Sequence, residues 1–186
     1  MKQLKHLGWI VLSILFLVAS SLISAEVAIL DLRKESEWQL KEVDTAGAEL
    51  DRVTVQVERT RAVATPQRAD RALVHVRLSL QGAEDARQAW VDCRLTLHDD
   101  QNRKWLPMET ENTDGAIKAV AADRMNNGRC NPVPYDAPRD GSAILSDQVF
   151  LVPVDTLGQL TLHVSGYGTR PRALAIRIEP DLTVLN

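Results

Sequence analysis

The residues able to do chemistry in this chain are few and scattered. His98-Asp99-Asp100 sets an imidazole beside two carboxylates, a combination that can hold a divalent cation. A calcium loop needs carboxylates at alternating positions around a glycine, and Asp99-Asp100-Gln101-Asn102-Arg103 lacks that spacing. A solvated turn is the expected reading, with no metal and no cofactor. Nucleophilic catalysis needs a Ser or Cys beside a base that a third group orients, and no G-x-S-x-G elbow occurs. Paired carboxylates at Glu84-Asp85 and Glu109-Thr110-Glu111 fall in polar segments expected at the surface. His75 and His163 sit on the polar phase of alternating runs, which predicts outward-facing rings. No catalytic residue is assigned, and an enzyme is not expected.

Two cysteines, Cys93 and Cys130, occur without a C-x-x-C motif, so redox chemistry is not expected. Bonded, they would close a loop of about 38 residues, worth roughly 4 kcal/mol in the chain-entropy account. The alternative is two inert thiols, with Cys93 on an inward phase. Trp90, Trp105 and Tyr135 are the aromatic candidates for an interaction surface. Trp90 falls on an outward phase, at an edge or an exposed contact. Trp105 follows a polar hairpin tip, where an indole folds over the end of a sandwich. Core or capping roles compete with partner anchoring for both.

The elements that would position these residues begin with a leader. Lys2 and Lys5 precede the apolar run Leu7 to Leu22 (LGWIVLSILFLVASSL), and cationic flanks stay on the cytoplasmic side of a bilayer. From Leu7 to Ala25 the run would extend roughly 28 Å as a helix, close to the thickness of a hydrocarbon core. Trp9 suits the headgroup zone. Residues 1–25 therefore read as a signal anchor. Small residues at Ala19 and Ser21 keep signal cleavage open as the alternative. Either way, the rest of the chain is expected outside the cytoplasm, where disulfides persist.

Residues 26–50 form a charged juxtamembrane segment, either a surface helix prolonging the leader or a spacer with one edge strand. From Asp51 the period becomes two. Val53, Val55 and Val57 alternate with polar residues, as do Val74, Val76, Leu78 and Leu80. Val91, Cys93, Leu95 and Leu97 follow, then Leu160, Leu162 and Val164, and finally Leu174, Ile176 and Ile178. A weaker strand is expected around Val149 to Val152 and a short one at Trp105. Such alternation marks antiparallel strands with one face on a core. Six or seven strands over 51–182 predict an all-β antiparallel sandwich. The insert 108–146 interrupts the pattern. Its first half, Ala116 to Met125, predicts a helical turn or two, and its second half is rich in Asn, Pro and Gly. Long loops of this kind are often functional.

Four stretches, DRVTVQVERT, RALVHVRLSLQG, LTLHDDQNRKW and VFLVPVDTLGQLTLHV, resemble bacterial immunoglobulin-like modules of unknown function that follow a membrane anchor or lipidated leader. The resemblance covers about Asp51 to Pro180. Asn102 stands where the family's turn carries Gly, and the Cys93/Cys130 pair is not a family mark. The resemblance implies an immunoglobulin-like extracytoplasmic sandwich without established catalytic residues.

The formal net charge of −3 gives no basic excess of the kind nucleic-acid binding requires. The expected protein is a single-pass cell-membrane protein, held by its N-terminal helix, whose sandwich binds or scaffolds another envelope protein. The alternative is a periplasmic module for a small ligand or ion, built on the 108–146 insert.

Overall fold

A computed structural model gives the fold and describes residues 2–64, 66–82, 84–86, 88–108, 120, 130 and 142–184. The chain divides into two compact units, Met1–Ser36 and Glu37–Asn186.

The first unit is one helix, α1 (Lys2–Glu35). From Gly8 to Glu35 it is long and apolar enough to cross a membrane, with none of that stretch buried. Arg33 and Lys34 occupy its last turn, where cations complement the negative end of the helix dipole. The helix runs past Ala25 and takes up part of the juxtamembrane segment.

The second unit holds ten strands among the described residues. They are β1 (Gln39–Val43), β2 (Ala48–Leu50), β3 (Val53–Ala64), β4 (Arg71–Gly82), β5 (Arg94–His98), β6 (Lys104–Trp105), β7 (Ile144–Pro153), β8 (Leu160–Ser165), β9 (Arg172–Ile178) and β10 (Asp181–Val184). Sheet A has the order β1-β9-β8-β5-β6, and sheet B the order β10-β3-β4-β7 with β2 also on β3. All pairings are antiparallel except β1 on β9 and β10 on β3. Val55, Val74, Val76, Leu78 and Phe150 of sheet B pack in one core with Leu97, Leu162, Leu174 and Ile176 of sheet A. Each of these stands on the apolar phase of its strand, so the two sheets bury their matching faces against each other. The result is a β-rich, sandwich-like fold.

Several expectations change. The sheets recruit β1 and β2, upstream of the anticipated start at Asp51. The segment at Val149 to Val152 is the middle of a ten-residue strand that pairs along nearly all of β4. Strand β5 begins only at Arg94, because Gln88 to Asp92 form a turn and Asp92 takes φ 52°, which breaks the extended run. Val91 is consequently exposed rather than inward. Trp90 takes the core role of the two readings, against the outward phase of its run: it is 1% exposed, and its Nε1 donates to the Leu50 carbonyl at 3.2 Å. Alternation has no meaning in a turn, so the strand phase mispredicted its side.

Of the insert, residues 108, 120, 130 and 142–146 are described, and Val120 and Cys130 are both buried. Cys93 and Cys130 lie at disulfide distance, their Cα atoms 5.4 Å apart. The helical turns anticipated at Ala116 to Met125 otherwise lie outside the described residues, as does Tyr135.

Candidate functional site

The outer faces of both sheets carry polar side chains that alternation alone would place in water. On sheet B the cause is a single extra residue in β3. Val53, Val55 and Val57 point into the core, and an unbroken period of two would send Arg59 and Arg61 after them. Instead the register slips between Val57 and Arg59, leaving Glu58 as a bulge. The phase inverts there. Ala62 and Ala64 become the core residues, and Arg59 and Arg61 emerge on the outer face.

The strand register then assembles a cluster. Arg59 lies opposite Arg77, which lies opposite Asp147, and Arg61 lies opposite His75, which lies opposite Val149. Arg77 donates from Nε and Nη2 to Asp147 Oδ1 and Oδ2 at 2.7 and 2.9 Å, the two-pronged arrangement that fits guanidinium to carboxylate. His75 stands on the outer sheet surface as its phase predicts, yet is fully buried rather than in solvent. Its Nε2 lies 2.8 Å from Asp147 Oδ1, and a carboxylate acceptor makes Nε2 the donor. His75 Nδ1 is buried with no hydrogen-bond partner. Arg61 donates from Nη1 to the Val120 carbonyl at 3.4 Å, so the insert's backbone reaches this face. Asp147 thus fixes one guanidinium and one imidazole, beside two further guanidiniums on β3.

The outer face of sheet A holds a second group. His98 and His163 stack with ring centroids 4.0 Å apart. Thr96 Oγ1 lies 3.0 Å from His98 Nε2, and Thr96 itself is fully buried. His163 stands on the outer sheet surface as its phase predicts, but is only 8% exposed. Burial lowers its pKa to about 4, helped by the neighbouring His98 and by Lys104. Burial and Lys104 lower His98 as well. Ser165 donates to Glu37 and accepts from Arg170 Nε at 3.3 Å. Arg170 also reaches the Asp92 backbone and carboxylate. Ser165 is fully buried and Arg170 is 6% exposed, so this network ties the 88–92 turn to β8 rather than presenting a nucleophile.

His98 ends β5, and the chain turns from Asp99 to Asn102. Asp99 Oδ1 accepts from the backbone N–H groups of Gln101 and Arg103 at 3.0 and 2.8 Å, and Oδ2 accepts from Arg103 Nε at 2.6 Å. Burial opposes the charge, but these donors outweigh it and hold the carboxyl below its usual range. Asn102 takes φ 60°, a conformation asparagine tolerates. Among the described residues no group of three or more His, Cys, Asp or Glu could hold a metal ion. Trp105 is half-buried against the core, with Arg103 over its ring at 5.6 Å.

No protein-family model, curated protein or solved structure matches the chain. The chemistry of the two faces must therefore speak for itself. Sequence reasoning missed the arginine–histidine–aspartate cluster entirely. One signal was present: the run Val53 to Arg61 cannot keep both a period of two and an apolar inward face, so a phase inversion was required.

Proposed function

We propose that this is a single-pass envelope protein whose extracytoplasmic β-sandwich binds or scaffolds another envelope protein. The carrying observation is the helix from Gly8 to Glu35, apolar and unburied, joined to a separate β-rich unit. Lys2 and Lys5 ahead of it favour a cytoplasmic N-terminus. The Cys93/Cys130 geometry suits an oxidising compartment. Release into the periplasm after cleavage is the rival outcome, and the N-terminal mass of the mature chain separates the two.

The immunoglobulin-like assignment belongs to the same proposal. Its support is strand order: β3-β4-β7 in one sheet and β9-β8-β5-β6 in the other, so the chain crosses between sheets after β1, β4, β6, β7 and β9. Greek-key sandwiches are wound in this way.

Photo-crosslinking in intact cells from Trp105, followed by affinity purification, tests the partner claim. A discrete adduct with one envelope protein is expected. Recovery of this chain alone would count against it.

A second reading, a module for a small ligand using the insert, is favoured by one observation. The Val120 carbonyl meets Arg61 on the outer face of sheet B, beside Arg77 and His75.

A further inference from the structure

We infer that one end of the sandwich, marked by Trp38, Val91 and Tyr167, docks on the extracytoplasmic surface of the bilayer that α1 crosses. The docking presupposes the single-pass reading above and adds a lipid surface as a partner of the β-rich unit.

Three observations carry it. First, strand direction gathers one set of segments at this end. β1 and β9 run in parallel from Gln39 and Arg172, and β8 finishes beside the start of β9 at Ser165. Opposite Ser165, β5 starts at Arg94, soon after the 88–92 turn. The Gln39 N–H donates to the Pro171 carbonyl at 3.1 Å, and the Tyr167 N–H to the Val91 carbonyl at 2.9 Å. The start of β1 and the turns at 88–92 and 166–171 therefore share one end.

Second, this end is tethered. Gly8–Glu35 has 28 residues, about 42 Å as a helix, and a bilayer with its headgroup layers is about 40–45 Å thick. Ser36, Glu37 and Trp38 alone join α1 to β1, at most about 14 Å of extended chain. So short a link makes lipid contact at this end an intramolecular event, for which weak insertion suffices. The tether limits distance only, and the side chains decide orientation.

Third, those side chains suit a headgroup layer. Trp38 is 53% exposed, Val91 50% and Tyr167 39%. Trp and Tyr concentrate where a bilayer meets water, the ring toward the apolar side and the polar atom in the wet layer. Tyr167 keeps Arg170 over its ring at 5.7 Å, so docking uses only the exposed part of the phenol. Arginines at this end are matched by aspartates: Arg170 by Asp92, Arg172 by Asp51 and Arg52 by Asp85. Because these charges cancel in pairs, apolar insertion drives the docking, and salt has little effect on it.

The test uses the full-length chain in phosphatidylcholine liposomes, with photoreactive benzoylphenylalanine placed singly at Phe16, Val91, Tyr167, Asp100 or Leu151. Phe16 lies in α1, and Asp100 and Leu151 lie toward the opposite end of the sandwich. Phospholipid adducts are expected from Phe16, Val91 and Tyr167, and not from Asp100 or Leu151. Trp38→Ser should lower the Val91 and Tyr167 yields about fourfold, the scale of half-burying an apolar side chain. It should leave the Phe16 yield and the thermal unfolding midpoint unchanged. The yields should also hold from low to high salt. Adducts from Phe16 alone overturn the docking and leave the membrane anchor in place. No adduct even from Phe16 removes the anchor, and the docking with it. Equal yields from all four sandwich positions, or yields that appear only with anionic lipid at low salt, overturn the docking too.

Discussion

His98 and His163 stack ring on ring across β5 and β8, with their planes 19° apart. Stacked imidazoles are tolerable while both are neutral and costly once either is charged, more so with Lys104 nearby. Asp99 and Glu37 only partly offset that cost. Burial therefore lowers both pKa values, that of His163 to about 4. The unfolded chain titrates near the ordinary value of 6.5. Between those limits the unfolded state binds more protons, so stability rises with pH. The contribution is complete above pH 6.5 and is lost as pH falls toward 4. Denaturant midpoints measured across that window should be flat above pH 7 and fall below 6.5. His163→Gln should remove most of that slope, and an unchanged slope would clear the pair of responsibility.

Asp147 makes a second prediction. A buried carboxylate holding Arg77 and His75 is costly to delete, because its partners are left charged or unsatisfied. Asp147→Ala should lose about 3–5 kcal/mol in equilibrium denaturation. The double variant Asp147→Leu with Arg77→Met should lose less than Asp147→Ala alone, since it removes both charges together. If the double variant is the worse of the two, the cost lies in packing rather than in stranded charge.

Trp90 and Gly166 form one packing unit. A Cβ on Gly166 would collide with the Ala89 carbonyl and stand 2.7 Å from Trp90 Cα, all of it backbone that cannot step aside. Gly166→Ala should therefore destabilise the fold and shift the intrinsic tryptophan emission. Trp90→Ala should cost about 3–5 kcal/mol, as large aromatic truncations in cores do. A Gly166→Ala variant with unaltered midpoint would show that this turn is not closely packed.

The Cys93–Cys130 link closes a loop with a sequence separation of 37. Replacing both cysteines by serine should lower stability by about 4 kcal/mol in the chain-entropy account. Non-reducing mass spectrometry should find the oxidised pair in protein purified from the envelope. Free thiols there would remove the compartment argument that the cysteines provide.

The core of the sandwich was legible because apolar alternation reports which face of a strand turns inward. Val74 to Leu80, Leu160 to Val164 and Leu174 to Ile178 fell as their periods predicted. What alternation cannot report is how deeply the opposite face is covered. His75, Thr96, His163 and Ser165 all stand on that other face and are buried nonetheless. Trp90 failed for a different reason: a strand period was extended into a turn. The bulge in β3 was readable in principle, since two arginines following three valines in phase cannot all face a core. Long-range pairings such as β1 on β9 left no local trace, because edge strands with charged residues look like any solvated segment.

The account stands on delivery of the β-rich unit across a membrane by the segment Gly8–Glu35. Alkaline phosphatase, active only where its disulfides form, can be fused after Asn186, with a fluorescent protein that folds in the cytoplasm as the matched fusion. High phosphatase activity with a dark fluorescent fusion is the predicted result. A bright fluorescent fusion with inactive phosphatase would contradict it.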